Sequence, residues 1–144
     1  MMKPENAARW LTILFRLNAV GLMTAALAVF LPNPWMQQIH AVLGLGEMPQ
    51  AEVVEYLARS CSMLYFIHGL VLGYVSLNMR KYWELVGFLS LMHLIMGTFV
   101  FGIDLKSEMP VYWIAIEGPS IMIFACVMLG LWKRASGVNL EPEN

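Results

Sequence analysis

Apolar residues of this chain are grouped into four long stretches, and most charged residues fall between them. Each stretch is close to the roughly 20 residues that an α-helix needs to cross about 30 Å of hydrocarbon. The stretches cover residues 10–31, 60–79, 85–103 and 111–132. The pattern predicts an all-α protein in which four transmembrane helices form an antiparallel bundle and residues 1–144 make one integral membrane domain.

The one long connection, residues 32–59, contains a different pattern in its first part. Apolar and polar positions repeat there with the period of a helix: Trp35, Met36, Ile39, Val42 and Leu43 are apolar, and Gln37, Gln38 and His40 are polar. A helix with one apolar and one polar face suits the boundary between lipid and water. We therefore expect a short amphipathic interfacial helix between spans one and two, with His40 solvated.

Spans two and four are each preceded by the tripeptide Glu-Met-Pro, at residues 47–49 and 108–110. Proline suits the first turn of a helix, and an acid near a helix N-terminus complements the helix dipole. We expect the two helices to begin at Pro49 and Pro110. The repeat also leaves open a duplicated helical hairpin.

Positive charge is distributed unevenly between the two sides of the predicted bundle. The tails and the connection between spans two and three contain Lys3, Arg9, Arg80, Lys81, Lys133 and Arg134. The opposite side is mainly acidic, with Glu47, Glu52, Glu55, Asp104 and Glu108 beside Arg59 and Lys106. By the positive-inside rule both termini are expected in the cytoplasm and residues 32–59 outside.

Composition and cysteine placement exclude several kinds of domain, site and partner. Hydrophobic residues make up 59% of the chain, which leaves no sizeable water-soluble domain. Cys61 and Cys126 fall at different depths of their spans, so we expect free thiols. No spacing indicates a metal site, and a net charge of −1 gives no basis for a nucleic-acid partner.

Small residues form stripes along the predicted spans. Such stripes indicate helix contacts, because lipid provides little hydrophobic drive for helices to associate. The stripes are Asn18, Gly21, Ala25 and Ala28 in span one, Gly69 and Gly73 in span two, and Ser90, His93, Gly97 and Asp104 in span three. We expect these faces to pack around a common interior.

Glu117-Gly118-Pro119 in span four is the sharpest candidate for chemistry. An ionisable side chain within the bilayer costs roughly 2.5 to 3.5 kcal/mol on insertion scales, and Pro119 frees a backbone carbonyl that needs another partner. These residues predict a polar ligand site. The alternative is a structural kink in which Glu117 is neutral or paired. Arg59 is within reach of Glu117 or Asp104, so all three are candidate ligand-binding residues.

His68 and His93 lie at similar depths, about 13 to 15 Å below the loop side of their spans at 1.5 Å per residue. Because imidazole ligates haem iron, the two are candidate axial ligands of a b-type haem. The alternative is two neutral histidines hydrogen-bonded within the bundle. Either histidine together with Glu117 would also supply an acid and a base for a membrane enzyme.

Several short motifs resemble those of a group of small bacterial four-helix membrane proteins of unknown function. They are His68-Gly69-Leu70, Arg80-Lys81-Tyr82-Trp83, Ile103-Asp104, Met109-Pro110 with Trp113, and Glu117-Gly118-Pro119. The resemblance covers about residues 50–132 and implies a bacterial inner-membrane location. Size and topology are also similar to those of the EXPERA proteins, four-helix sterol-handling enzymes and receptors, at the level of fold alone.

These observations favour a non-enzymatic membrane protein, either an accessory subunit of a membrane complex or a binder of a small lipophilic ligand near Glu117. The alternatives are an electron carrier that holds haem through His68 and His93, a lipid-modifying enzyme that uses Glu117 with a histidine, and an ion or proton pathway. The expected partners are the lipid bilayer, other membrane subunits or a lipophilic small molecule.

Overall fold

A computed structural model describes residues 2–136, which contain six helices and no strand. The helices are α1 (Pro4–Met23), α2 (Ala26–Phe30), α3 (Asn33–Val42), α4 (Glu52–Leu77), α5 (Trp83–Lys106) and α6 (Val111–Ala135). Four segments are long and apolar enough to cross a membrane: Pro4–Phe30, Glu52–Leu77, Trp83–Lys106 and Val111–Ala135. The predicted fold class is confirmed, including the short helix between the first and second spans.

The first span is divided between α1 and α2 by a break at Thr24 and Ala25. The Thr24 amide is shared between the carbonyl groups of Val20 and Gly21, both at 3.2 Å, and the Thr24 hydroxyl donates to the Gly21 oxygen at 2.6 Å. A threonine hydroxyl that competes for a backbone acceptor in this way bends a helix. Residues 4–30 therefore form one membrane-length segment with a bend.

Residues 2–15 and 75–136 form one compact unit, which contains the α5–α6 pair. Three contacts define the pairing: Gly87 with Trp132, Gly97 with Met122, and Gly118 with Phe101. As residue numbers rise along α5, they fall by equal steps along α6. The two helices are therefore antiparallel and keep one register along their length.

Gly118 marks the closest approach of these two helices. A Cβ added at Gly118 would lie 2.5 Å from the Phe101 Cβ and 2.8 Å from its backbone nitrogen. No side chain larger than hydrogen fits there without movement of the α5 backbone. A Cβ at Gly97 would lie 2.9 Å from Met122 Cγ, so the α5 glycine also faces α6 closely.

Trp83 and Trp132 pack together at the end of the α5–α6 pair that is remote from Gly118. The Trp132 indole donates to the Trp83 carbonyl at 3.0 Å, and the Trp83 indole donates to the Ser136 hydroxyl at 3.2 Å. The two rings stack with centroids 6.3 Å apart, above Gly87. Both indole N–H groups are thus satisfied while the rings cover apolar surface.

The connection between α5 and α6 has only four residues, 107–110. Glu108 adopts a left-handed conformation with φ 52°, and the Met109 amide donates to the Asp104 carbonyl at 3.2 Å. This is the bond of a Schellman C-cap, in which glycine normally occupies the left-handed position. Pro110 then precedes the first helical residue of α6, in agreement with the predicted start.

Residues 16–74 form the second compact unit. The end of α1 packs against α4 at Gly69, where an added Cβ would lie 2.9 Å from the Ala19 oxygen and the Met23 nitrogen. Gly73 has more room, 3.8 Å from the Ala19 Cβ. Gly21 has nothing within 4 Å and is exposed, so the predicted α1 stripe is wrong at this residue. Ala19 supplies the small contact instead.

The loop between α3 and α4 differs from prediction at one end. Helix α3 ends as expected at a glycine, since Gly44 has φ 74° and the Leu45 amide donates to the His40 carbonyl at 3.2 Å. Helix α4 begins at Glu52, whereas the sequence predicted Pro49. Residues 48–51 are irregular, and the Gln50 side chain donates to the Met48 carbonyl at 3.0 Å within this segment.

Candidate functional site

Asp104, in the last turns of α5, has the least satisfied side chain in the candidate site. The residue is 6% exposed, and its Oδ2 has no hydrogen-bond partner in the part of the chain that the structure describes. A buried acceptor left without a donor costs roughly 1 to 3 kcal/mol, and a charged one costs more. A hydrogen-bond donor from outside residues 2–136 would satisfy this oxygen.

Glu117 is half-buried in α6 and is held within its own helix. The Trp113 indole N–H donates to Glu117 Oε2, one turn earlier. The Ser120 hydroxyl donates to the Glu117 carbonyl at 3.0 Å. The candidate acid is thus oriented by a neighbouring indole.

Pro119 lies inside α6 and has no amide hydrogen. The carbonyl of Ala115, four residues earlier, consequently lacks its usual α-helical donor. Continuing the register of the Phe101–Gly118 contact by three residues places Asp104 level with Ala115. The buried Asp104 side chain and the exposed Ala115, whose carbonyl lacks its i+4 donor, therefore lie at the same level of the α5–α6 pair.

His93 shares a buried face of α5 with Ser90, Gly97 and Asp104. The four residues are those of the predicted stripe. The His93 Nδ1 lies 2.8 Å from the Leu89 carbonyl oxygen, and because a carbonyl only accepts, this nitrogen carries the proton. His93 is 11 residues from Asp104, which corresponds to about 16 Å along the helix, so the two side chains belong to different levels of α5.

Arg59 is engaged with the loop end of the second unit. Its guanidinium donates to the Leu31 carbonyl at 3.0 Å, to Asn33 Oδ1 at 2.9 Å and to the Val29 carbonyl. Its ion pair is with Glu55, at 2.9 Å, rather than with the acids considered from the sequence. Arg59 thereby ties the end of the first span to α4.

His68 is half-buried in α4 and adjacent to Gly69, the residue that contacts α1. The candidate residues are thus divided between the two units. Arg59, His68, Gly69 and Gly73 belong to residues 16–74, and His93, Gly97, Asp104, Glu117 and Pro119 belong to the unit that contains α5 and α6. The structure groups Asp104, Glu117 and Pro119 at one end of the α5–α6 pair.

A cleft lies between α3 and the start of α4, and it was not predicted from the sequence. It has a volume of about 140 Å³, and the Gln37 side chain donates to Gln50 Oε1 at 3.1 Å beside it. Its lining includes Asn33, Met36, Met48 and Glu55. The only sequence signal for it was the pair of polar glutamines on either side of the Gly44 turn. Among residues 2–136, no three His, Cys, Asp or Glu side chains are arranged to hold a metal ion.

Comparison of the chain with protein-family models, with curated proteins and with solved structures finds no match.

Proposed function

We propose that this protein is a non-enzymatic protein of a bacterial inner membrane that binds a small lipophilic ligand between the ends of α5 and α6. The observation that carries the proposal is the buried Asp104 side chain, whose Oδ2 lacks a partner within residues 2–136. The Ala115 carbonyl, freed by Pro119, adds a second acceptor at the same level. A ligand that donates hydrogen bonds would satisfy both groups.

The surroundings of the site favour a ligand that arrives from the membrane. Ile103, Leu105 and Ile116 flank it and are 54 to 64% exposed in the isolated chain. In a bilayer these side chains face lipid. The proposed ligand class is therefore an amphiphile with an apolar body and a hydroxyl or amine head, with Glu117 as a second polar contact.

A matched series of amphiphiles tests this function. Purified protein in a neutral detergent is melted with dodecanol, dodecylamine or dodecyl methyl ether, of which only the first two donate hydrogen bonds. We expect both donors to raise the melting temperature of the wild type and the ether to have no effect. Asp104→Leu should remove the response to both donors, whereas Glu108→Gln, which alters an exposed acid at the same end of α5, should keep it. An unchanged response of Asp104→Leu would refute the site.

The orientation, with both termini in the cytoplasm, is part of the same proposal and rests on the distribution of Lys and Arg. It is tested with single cysteines at Glu47 and Glu5 in a chain that carries Cys61→Ser and Cys126→Ala. A membrane-impermeant maleimide should label the cysteine at position 47 in intact spheroplasts, and the one at position 5 only after permeabilisation. The opposite pattern would reverse the topology.

Haem binding remains a second candidate because of the hydrogen bond from His93. An imidazole whose Nδ1–H is held by a backbone carbonyl is oriented as metal-bound histidines commonly are. The test is a reduced-minus-oxidised absorption spectrum of protein produced with added haem. A Soret band that is lost in His93→Ala would support haem ligation by His93, and a colourless folded protein would exclude it.

A further inference from the structure

A groove runs along α6 at the end remote from Asp104. It is shallow and open, and it is lined by Val127, Gly130, Leu131, Lys133 and Arg134. All five lining residues lie within the last nine helical residues of α6. We name it the α6 groove.

The apolar part of the α6 groove faces away from α5. Val127, Gly130, Leu131 and Arg134 follow helical spacing along one side, whereas the buried residues Ala125, Met128 and Ala135 follow another. A Cβ added at Gly130 would have nothing within 4 Å. The missing side chain leaves open space at this position of the α6 groove.

Two basic residues, Lys133 and Arg134, line the α6 groove near the end of the helix. Lys133 and Arg134 are exposed, and no acidic side chain within residues 2–136 forms an ion pair with either. Arg80 and Lys81 lie just before Tyr82, the N-cap of α5, and Trp83 of this helix is bonded to Ser136 at the end of α6. Four cationic residues and one acid, Glu84, thus lie at one end of the α5–α6 pair.

We propose that the α6 groove binds an anionic phospholipid. Its phosphate would contact Lys133 and Arg134, and one acyl chain would lie over Gly130 against Val127 and Leu131. Basic residues next to membrane helices attract anionic headgroups, and the apolar part of the α6 groove gives this charge a defined chain position. The positive-inside rule is enough to explain why Lys133 and Arg134 are at this end of α6. It does not explain why a glycine lies at position 130. This site is independent of the ligand proposed at Asp104.

Native mass spectrometry of the full-length protein in neutral detergent tests the inference, with phosphatidylglycerol and phosphatidylcholine of identical chains as probes. We expect the wild type to half-saturate at about 10-fold lower phosphatidylglycerol than phosphatidylcholine. The double variant Lys133→Gln/Arg134→Gln should lose this preference. Gly130→Leu, whose Cβ would have no atom within 4 Å, places a bulky side chain in the groove and should weaken binding of both lipids. Circular dichroism verifies that each variant is folded.

Three controls distinguish a defined lipid site from general charge attraction, from a phosphate site and from a groove that the chain itself fills. Lys3→Gln/Arg9→Gln removes the same charge from the exposed start of the chain and should leave the preference intact; an equal loss would refute a specific site. An excess of inorganic phosphate should not displace the lipid, and displacement would show a free-phosphate site instead. Deleting residues 137–144 should not change binding. A several-fold increase would show that this acidic segment occupies the groove and would overturn the proposal.

Discussion

Different interactions stabilise the α5–α6 pair and the loop end of the other unit, residues 29–59. The helix pair uses close backbone approach at Gly118 and a stacked tryptophan pair, with few side-chain hydrogen bonds between the helices. The loop end instead depends on Arg59, which joins carbonyl, amide and carboxylate groups from three helical segments. In lipid, helix association depends on shape, because apolar side chains gain little by leaving a hydrocarbon solvent. Near water, a planar guanidinium can connect several acceptors at once.

Substitution at the closest contact should have the largest effect. Gly118→Ala places a methyl group against the Phe101 backbone, so we expect a loss of roughly 3 kcal/mol in unfolding free energy, the upper end for overpacking. Gly102→Ala is the matched control, since nothing lies within 4 Å of its added Cβ, and it should be neutral or slightly stabilising. Unfolding in mixed micelles with increasing denaturing detergent measures both. Equal stability of the two variants would contradict the assigned contact.

Loss of Arg59 should have a smaller and local effect. Arg59→Gln leaves several acceptors with fewer donors, but the site is partly exposed to solvent, so we expect a cost of about 1 to 2 kcal/mol. Hydrogen–deuterium exchange should accelerate in residues 29–33 and remain unchanged in α5 and α6. Lys106→Gln, which removes an exposed cation, provides the control. Faster exchange throughout α5 and α6 would show that the two regions are not held independently.

The smallest expected effect is a gain in stability at the α5–α6 connection. Glu108 has φ 52°, a conformation that glycine adopts without strain. Glu108→Gly should therefore stabilise the protein by about 1 kcal/mol. Ser107→Gly, at a right-handed position of the same turn, should destabilise it slightly. The same unfolding assay applies, and a less stable Glu108→Gly variant would show that the acid has a further role in starting α6.

Periodicity and length were sufficient to predict the four spans and α3, because an apolar run of about 20 residues has few alternatives. The packed face of α1 was harder to predict, since nearly every side of a membrane helix is apolar. The small-residue rule favoured Gly21, whereas the buried residues of α1 are Ala7, Leu11, Phe15 and Ala19. The start of α4 was predicted three residues too early, at Pro49 rather than Glu52, in a segment where the Gln50 side chain bonds to the Met48 carbonyl.

The candidate site could likewise be predicted only in part from the sequence. Intramembrane acids can be identified in a sequence, so Asp104 and Glu117 were candidates from their types alone. That Oδ2 of Asp104 lacks a donor, and that Ala115 is level with it, depends on the register between two helices. Gly118 makes one of the three contacts that define this register, and in the sequence it stood out only as part of a proline motif. No local pattern encodes the contact between Gly118 and Phe101.

The adjacency of Gly118 and Pro119 also affects the mechanics of α6. A proline in a membrane helix commonly creates a flexible hinge, because the missing hydrogen bond lets the two halves swivel. Here the residue immediately before the proline is pressed against the backbone of α5. A bend of α6 at this point would have to separate α6 from α5. The close contact therefore opposes bending of the part of α6 that runs from Pro119 to Ala135. Any flexibility at Pro119 is therefore expected in the first two turns of α6, from Val111 to Glu117, rather than along the whole span.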